Sequence, residues 1–121
     1  MILCNVTTIE EGQKHFLGEG KVKGMIIDNL FGMFCYFPKM GIFDFVANIM
    51  SNVSAIKDAR EYMIENKIFM KILELLKKNE VNKHRRCHLI EAIRNIAFEY
   101  EKYEKIFIEN TFVKDIAYIL A

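Results

Sequence analysis

The segment Ser51–Asn66, SNVSAIKDAREYMIEN, decides the fold because related segments stand near both ends of the 121-residue chain. One runs from Asn5 to Leu17, NVTTIEEGQKHFL, and the other from Arg94 to Asn110, RNIAFEYEKYEKIFIEN. Each has an asparagine, then a β-branched residue and a small residue, with an apolar cluster about nine residues later. We interpret the three segments as copies of one structural repeat.

The spacing of the copies indicates which repeat this is. Asn5, Asn52 and Asn95 lie 47 and 43 residues apart. Repeats of roughly 40–47 residues with helical content are typical of armadillo and HEAT solenoids. The sequence therefore predicts an all-α, armadillo/HEAT-like α-solenoid of about two and a half helical repeats. We expect a single domain, 1–121, with a partial unit 1–7, units 8–55 and 56–98, and a partial unit 99–121.

Helices are expected throughout. Pro38 is the single proline, the glycines lie before residue 42, and no window alternates apolar and polar residues long enough for a strand. The predicted helices are Ile9–Leu17, Lys21–Phe37, Ile42–Ala55, Lys57–Ile64, Ile68–Lys78, Lys83–Phe98, Glu101–Ile108 and Phe112–Leu120.

The repeat register also predicts unfinished packing, because solenoid stability is a sum over neighbouring repeats and usually needs at least three of them. We expect apolar surface near Phe112, Ile116 and Ile119, covered by a partner, by a second copy or by further helices.

Two of the predicted helices carry an apolar stripe and a separate polar row. The stripes are expected to be Ile42, Val46, Ile49, Met50 and Val53 in one helix and Leu89, Ala92, Ile93, Ile96 and Ala97 in the other. The polar rows are Asp44, Asn48, Ser51 and Asn52, and His84, His88, Glu91 and Asn95. Stacked repeats would set these rows side by side in one groove. The alternative is an ordinary solvated face, with each asparagine bonding only to the following turn.

The repeats resemble a known family over roughly Met25 to Ile108. Phe43–Glu65, FDFVANIMSNVSAIKDAREYMIE, and His84–Glu99, HRRCHLIEAIRNIAFE, are similar to the central repeats of the Hgh-one family, also called brain protein sixteen. The shared motifs are Phe43, Asp44, Phe45 and Ala47, then Asn52-Val53-Ser54 and Arg60, then Arg85-Arg86, Arg94-Asn95 and Phe98-Glu99. Cys87 and His88 stand where the family commonly has glycines, and Ile96 and Ala97 where it has paired cysteines.

This resemblance implies an armadillo-like fold and a role as a cytosolic adaptor chaperone. Members of the family help newly made translation elongation factor two to fold together with the chaperonin. They are usually about three times as long as this chain.

Composition is compatible with that role. The chain is 52% hydrophobic, and its 17 basic and 16 acidic residues leave a net charge of +1, which gives no general support for nucleic acid or membrane as the partner. Cys4, Cys35 and Cys87 lack metal-site spacing and predict reduced thiols. The longest apolar run, Gly24–Pro38, contains Asp28 and is too short for a membrane helix. We therefore expect a soluble, cytoplasmic protein.

Catalytic and metal motifs are weak. HRRCH, His84 to His88, places two histidines at i, i+4, but a second ligand pair and the glutamate of HExxH are absent, and Arg85 and Arg86 add positive charge. Glycine-rich phosphate loops and a GxSxG elbow are also absent. We expect no enzyme, no cofactor and no metal site.

Two other kinds of partner are alternatives to a folding client. Lys83, Arg85, Arg86 and Arg94, near Lys77-Lys78, suit phosphate contacts with RNA or a ribosome. A nuclear-import-type peptide binder is disfavoured, because its repeats place tryptophan four residues before the asparagine and this chain has no tryptophan.

The sequence favours a non-enzymatic protein-binding adaptor, most specifically a folding factor for elongation factor two working with the chaperonin. The alternatives are a ribosome- or RNA-associated accessory protein and a generic armadillo-type scaffold. The residues expected to contact the partner are Asp44, Asn48, Asn52, Arg85, Arg86, His88, Glu91, Arg94 and Asn95.

Overall fold

The chain is all-helical in the computed structural model, which describes residues 2–78 and 81–120. No strand occurs in these two stretches. The outer bounds of the predicted domain, Met1 and Ala121, lie outside the described residues. The helices are α1 (Ile2–Val6), α2 (Glu10–Leu17), α3 (Met25–Tyr36), α4 (Phe45–Val53), α5 (Lys57–Glu65), α6 (Ile68–Lys78), α7 (Lys83–Ile96), α8 (Glu104–Glu109) and α9 (Phe112–Leu120).

Glycine sets the start of α3, which begins later than predicted. Gly20–Val22 forms a separate 3-10 turn, and Gly24 follows with a left-handed φ of 79°. A Cβ atom at Gly24 would overlap the ring of Tyr62, whose hydroxyl donates to Asp28 at 2.8 Å. Glycine is the residue that tolerates both conditions. The predicted helix Lys21–Phe37 is therefore interrupted at Gly24.

The first predicted apolar stripe is also divided. Gly41–Phe43 forms a 3-10 turn before α4 begins at Phe45. Ile42, expected in the core, is 69% exposed because it lies on this turn. The rest of the stripe is buried, namely Val46, Ile49, Met50 and Val53.

Helix α4 lies at the centre of the molecule. It packs against α1 on one side and α7 on the other, and α2 and α3 also contact it. In α7 the predicted stripe is buried at Leu89, Ala92, Ile93 and Ile96, whereas Ala97 is half-buried after the helix has ended. Burial of each large aliphatic side chain stabilises the fold by about 1.5–3 kcal/mol.

Helices α5 and α6 pack directly on α7, and α8 and α9 pack beyond α6. Helix α5 packs on α6 and α7, α6 on α7 and α9, and α8 on α9. Phe107 joins α8 to this group, its ring centroid lying 5.4 Å from that of Phe69 and 4.4 Å from that of Phe112. Phe112 is 3% exposed because Phe69 and Phe107 of the same chain cover it, so at this position helices of the chain cover the apolar surface that the sequence predicts. Ile116 and Ile119 are half-buried, and the exposed apolar residues here are Ile108, Val113, Tyr118 and Leu120.

Across residues 2–78 and 81–120, no helix has both the length and the apolar character needed to span a membrane.

Candidate functional site

Asn52 joins the end of α4 to the end of α1. Its Nδ2 donates to the carbonyl of Cys4, at 3.3 Å, and to Oγ1 of Thr7, at 3.2 Å. The Thr7 hydroxyl donates its own hydrogen to the carbonyls of Leu3 and Cys4, at 2.9 and 3.0 Å. The hydroxyl oxygen is thus left to accept from the asparagine.

Asn95 repeats this arrangement one copy later. Its Nδ2 donates to the carbonyl of Ser51, at 3.4 Å, and to Oγ of Ser54, at 3.0 Å. The Ser54 hydroxyl donates to the Ser51 carbonyl at 2.7 Å. The hydrogen bonds of each asparagine side chain thus go to the preceding copy and not to its own following turn.

The ends of α1 and α4 each receive a further side-chain hydrogen bond. Gln13 Nε2 donates to the carbonyl of Thr7 at 2.9 Å. One repeat later, Arg60 Nη1 donates to the carbonyl of Ser54 at 3.2 Å, while its Nε pairs with Glu99 at 2.9 Å. These bonds satisfy carbonyls that a helix end leaves without an intrahelical donor.

The polar rows of α4 and α7 meet in two sets of polar contacts. His84 Nε2 lies 2.6 Å from Asn48 Oδ1, and Ser51 Oγ donates to Glu91 Oε2 at 2.8 Å. His88 Nδ1 lies 3.2 Å from the same oxygen of Glu91. We call this surface, formed by Asn48, Ser51, His84, His88 and Glu91, the α4–α7 groove.

The electrostatics of the groove centre on Glu91. The hydrogen bond from Ser51 lowers the pKa of the Glu91 carboxyl, and proximity to His88 acts in the same direction, against the effect of burial. The side chain keeps 46% of its accessible surface. Glu91 thus presents a fixed, ionised carboxylate to solvent.

An open depression of about 680 Å³ lies at the end of this groove. Ile42 contributes an exposed apolar side chain there, beside the hydrogen-bonding groups of Asn48 and His84. Its lining consists of Gly41, Ile42, Asp44, Phe45, Asn48 and His84.

A family model described as a domain of unknown function, DUF383, matches residues 1–121. The chain belongs to the DUF383 family. No curated protein and no solved structure matches it.

Arg85 of this DUF383 domain is a structural residue, which corrects its prediction as a partner contact. It is 1% exposed, and its Nε pairs with Asp44 at 2.5 Å. Its remaining nitrogens donate to the carbonyls of Phe34, Phe37 and Met40, at 3.3, 3.3 and 2.9 Å. A cation at the end of α3 is also favoured by the helix dipole.

Arg86 has a similar role on the other side of α7. Its Nη1 donates to the carbonyl of Leu76 in α6 at 3.2 Å, and its Nη2 donates to the carbonyl of Ile119 in α9 at 3.3 Å. The half-buried guanidinium is therefore used within the fold. Because Arg86 is half-buried and not enclosed as Arg85 is, its role as a partner contact stays a prediction.

Most of the basic residues predicted as possible RNA contacts form hydrogen bonds or ion pairs within the chain. Besides Arg85 and Arg86, Lys77 pairs with Asp115 at 3.0 Å and Lys78 with Glu74 at 3.3 Å. Arg94 and Lys83 are exposed. The DUF383 domain thus does not gather these cations into one free patch among its described residues.

The other predicted site residues fall into two groups. Asn48, His88 and Glu91 meet in the groove, with Asp44 at its end, where Asn82 also donates to that carboxylate. Asn52 and Asn95 use their amide nitrogens between repeats, and Arg94 lies exposed on α7.

Ser51 and His84 complete the groove but were absent from the predicted contact set. Both stood in the predicted polar rows, so the signal was present. Their importance depends on which α7 residue faces each α4 residue. That pairing is set by how the two helices pack, and the sequence of either polar row does not reveal it.

The residues of the HRRCH motif lie on different faces of α7. The rings of His84 and His88 lie 4.7 Å apart on the groove, whereas Arg85 is directed into the core and Cys87 is exposed. Within the described residues, no three His, Cys, Asp or Glu side chains are gathered as metal ligands would be.

Proposed function

We propose that this DUF383 domain is an armadillo-like α-solenoid. The support is the matched pair of junctions: Asn52 bonds to the end of α1 as Asn95 bonds to the end of α4. Helices α1, α4 and α7 thus follow one another in contact, as the third helices of successive armadillo repeats do. The α4–α7 groove would lie on the concave side of such a solenoid.

We propose further that the domain is a non-enzymatic adaptor that binds a protein chain in the α4–α7 groove. The observation that carries this is the exposed Ile42 beside the row of groups fixed by the Asn48–His84 and Ser51–Glu91 bonds. Fixed donors and acceptors lower the conformational cost of binding.

The partner we propose is translation elongation factor two during its folding in the cytoplasm, together with the chaperonin. This identity rests on the resemblance to the Hgh-one family. The charge of the groove adds one requirement, which is that the client must present a hydrogen-bond donor or a cation to the Glu91 carboxylate.

Affinity capture from a native lysate of the source organism tests the partner. We expect elongation factor two and chaperonin subunits to be enriched with the wild-type domain. Glu91→Lys should lose them, whereas Glu74→Lys, the same charge reversal at an exposed position of α6, should retain them. Recovery of ribosomal subunits with RNA, with steep loss at higher salt, would favour the ribosome-associated alternative instead.

A further inference from the structure

Asn5 stands where Asn52 and Asn95 stand in the later copies, but its surroundings differ. Its side chain is exposed, and no described residue accepts a hydrogen bond from its amide. Helix α1 also exposes Ile2, Leu3 and Val6, to 79%, 41% and 43%. We call these four residues the α1 face. It combines an amide that can donate a hydrogen bond, as those of Asn52 and Asn95 do, with an uncovered apolar surface.

The two junctions within the chain define what such a donor binds. Each donor asparagine binds the end of the preceding helix of the series α1, α4 and α7. That preceding helix has a small residue immediately before its own repeat asparagine and a hydroxyl residue two positions after that asparagine. Cys4 and Thr7 fill these positions for Asn52, and Ser51 and Ser54 fill them for Asn95. All four are at most 9% exposed, because the next helix covers them.

The end of α7 lacks this signature. Arg94 stands in the position of Cys4 and Ser51, and Ala97 in that of Thr7 and Ser54. The exposed arginine obstructs close approach of another helix, and the alanine has no hydroxyl to accept from an asparagine. A charged outer face is typical of a repeat that ends a stack.

We propose that the α1 face is a docking surface for a helix of a partner protein, whose last turn carries a small residue and, three positions later, serine or threonine. The proposal extends the interface already formed twice inside the chain. A second copy of this chain does not qualify as the partner. Among the described residues, the ends of α1 and α4 are already covered, and the end of α7 carries Arg94 and Ala97, which do not match the required residues. The proposal is independent of the α4–α7 groove.

The chain itself supplies the probe. The double variant Arg94→Ser/Ala97→Ser gives α7 the signature of α4, so that the α1 face of a second molecule can bind it head to tail. Sedimentation velocity over a wide concentration range should show wild type at 14.2 kDa and at least a doubling of mass for the variant. Adding Asn5→Ala should restore the monomer.

Lys114→Ser/Ala117→Ser is the matched control, since it has the same spacing on an exposed helix face and should stay monomeric. If Arg94→Ser prevents folding, Ala97→Ser alone supplies the hydroxyl, and its association must again depend on Asn5. A folded variant that remains monomeric overturns the proposal. Wild-type association that Asn5→Ala removes would overturn it as well, because the unaltered α7 end would then be a sufficient ligand.

Discussion

The side-chain amide of Asn95 donates to the hydroxyl of Ser54, 3.0 Å away, and so joins α7 to the end of α4. The Asn52–Thr7 bond joins α4 to α1 in the same way. The asparagines that mark the repeat in the sequence are therefore the residues that connect one repeat to the next.

Replacing Asn95 by alanine should lower the free energy of unfolding by about 1–2 kcal/mol, because a part-buried hydroxyl and a carbonyl lose their donor. Urea denaturation measures the change. Asn5→Ala removes the same side chain at the exposed copy and should alter stability by less than about 0.5 kcal/mol. Equal effects of the two substitutions would contradict the role assigned to the junction.

Arg85→Met should destabilise the domain by about 3–5 kcal/mol, since it leaves the Asp44 carboxylate and three carbonyls without their cation. Lysine is not expected to restore stability, because it cannot reproduce the fork of donors. The exposed Arg94→Met is the control and should change little. Thermal or chemical unfolding that ranks Arg94 with Arg85 would refute the structural assignment.

Gly24→Ala should cost at least about 2 kcal/mol, because the new methyl group overlaps Tyr62 and φ is positive. Gly32→Ala is the opposite case, since a Cβ atom there meets no atom within 4 Å. It should stabilise α3 by about 0.5–1 kcal/mol through helix propensity. Similar unfolding midpoints for the two variants would rule out this account of the α3 start.

Ser51→Ala should raise the pKa of Glu91, because it removes the hydrogen bond that contributes most to lowering it while burial remains. A lowered pKa in the folded state means that this carboxylate stabilises the fold above its unfolded pKa, and that the contribution is lost as pH falls through the folded pKa. NMR titration of the Glu91 carboxyl carbon checks the shift. An unchanged titration curve would show that Ser51 does not hold this carboxylate.

Sequence periodicity predicted the helices well where packing agrees with local pattern. The predicted helix Ile68–Lys78 coincides with α6, whereas the predicted Lys21–Phe37 was too long, because the Gly24 break depends on the distant ring of Tyr62. The polar rows of α4 and α7 were also identified from spacing.

The prediction of Arg85 as a partner contact is wrong for a physical reason. Arg85 and Arg86 look like surface cations in the sequence, and their acceptors are mainly backbone carbonyls at the ends of other helices. Any residue type can supply a carbonyl, so no side-chain pattern marks these partners. Burial of Arg85 follows only once α3 and α7 are packed together.

The most direct test of the proposed function is the dissociation constant between the purified domain and purified elongation factor two, measured for wild type, Glu91→Lys and Glu74→Lys. The groove proposal predicts binding by wild type, at least tenfold weaker binding by Glu91→Lys with its fold retained by circular dichroism, and wild-type affinity for Glu74→Lys. Absence of wild-type binding would contradict the proposed partner, and equal affinity of all three proteins would contradict the groove as the binding site.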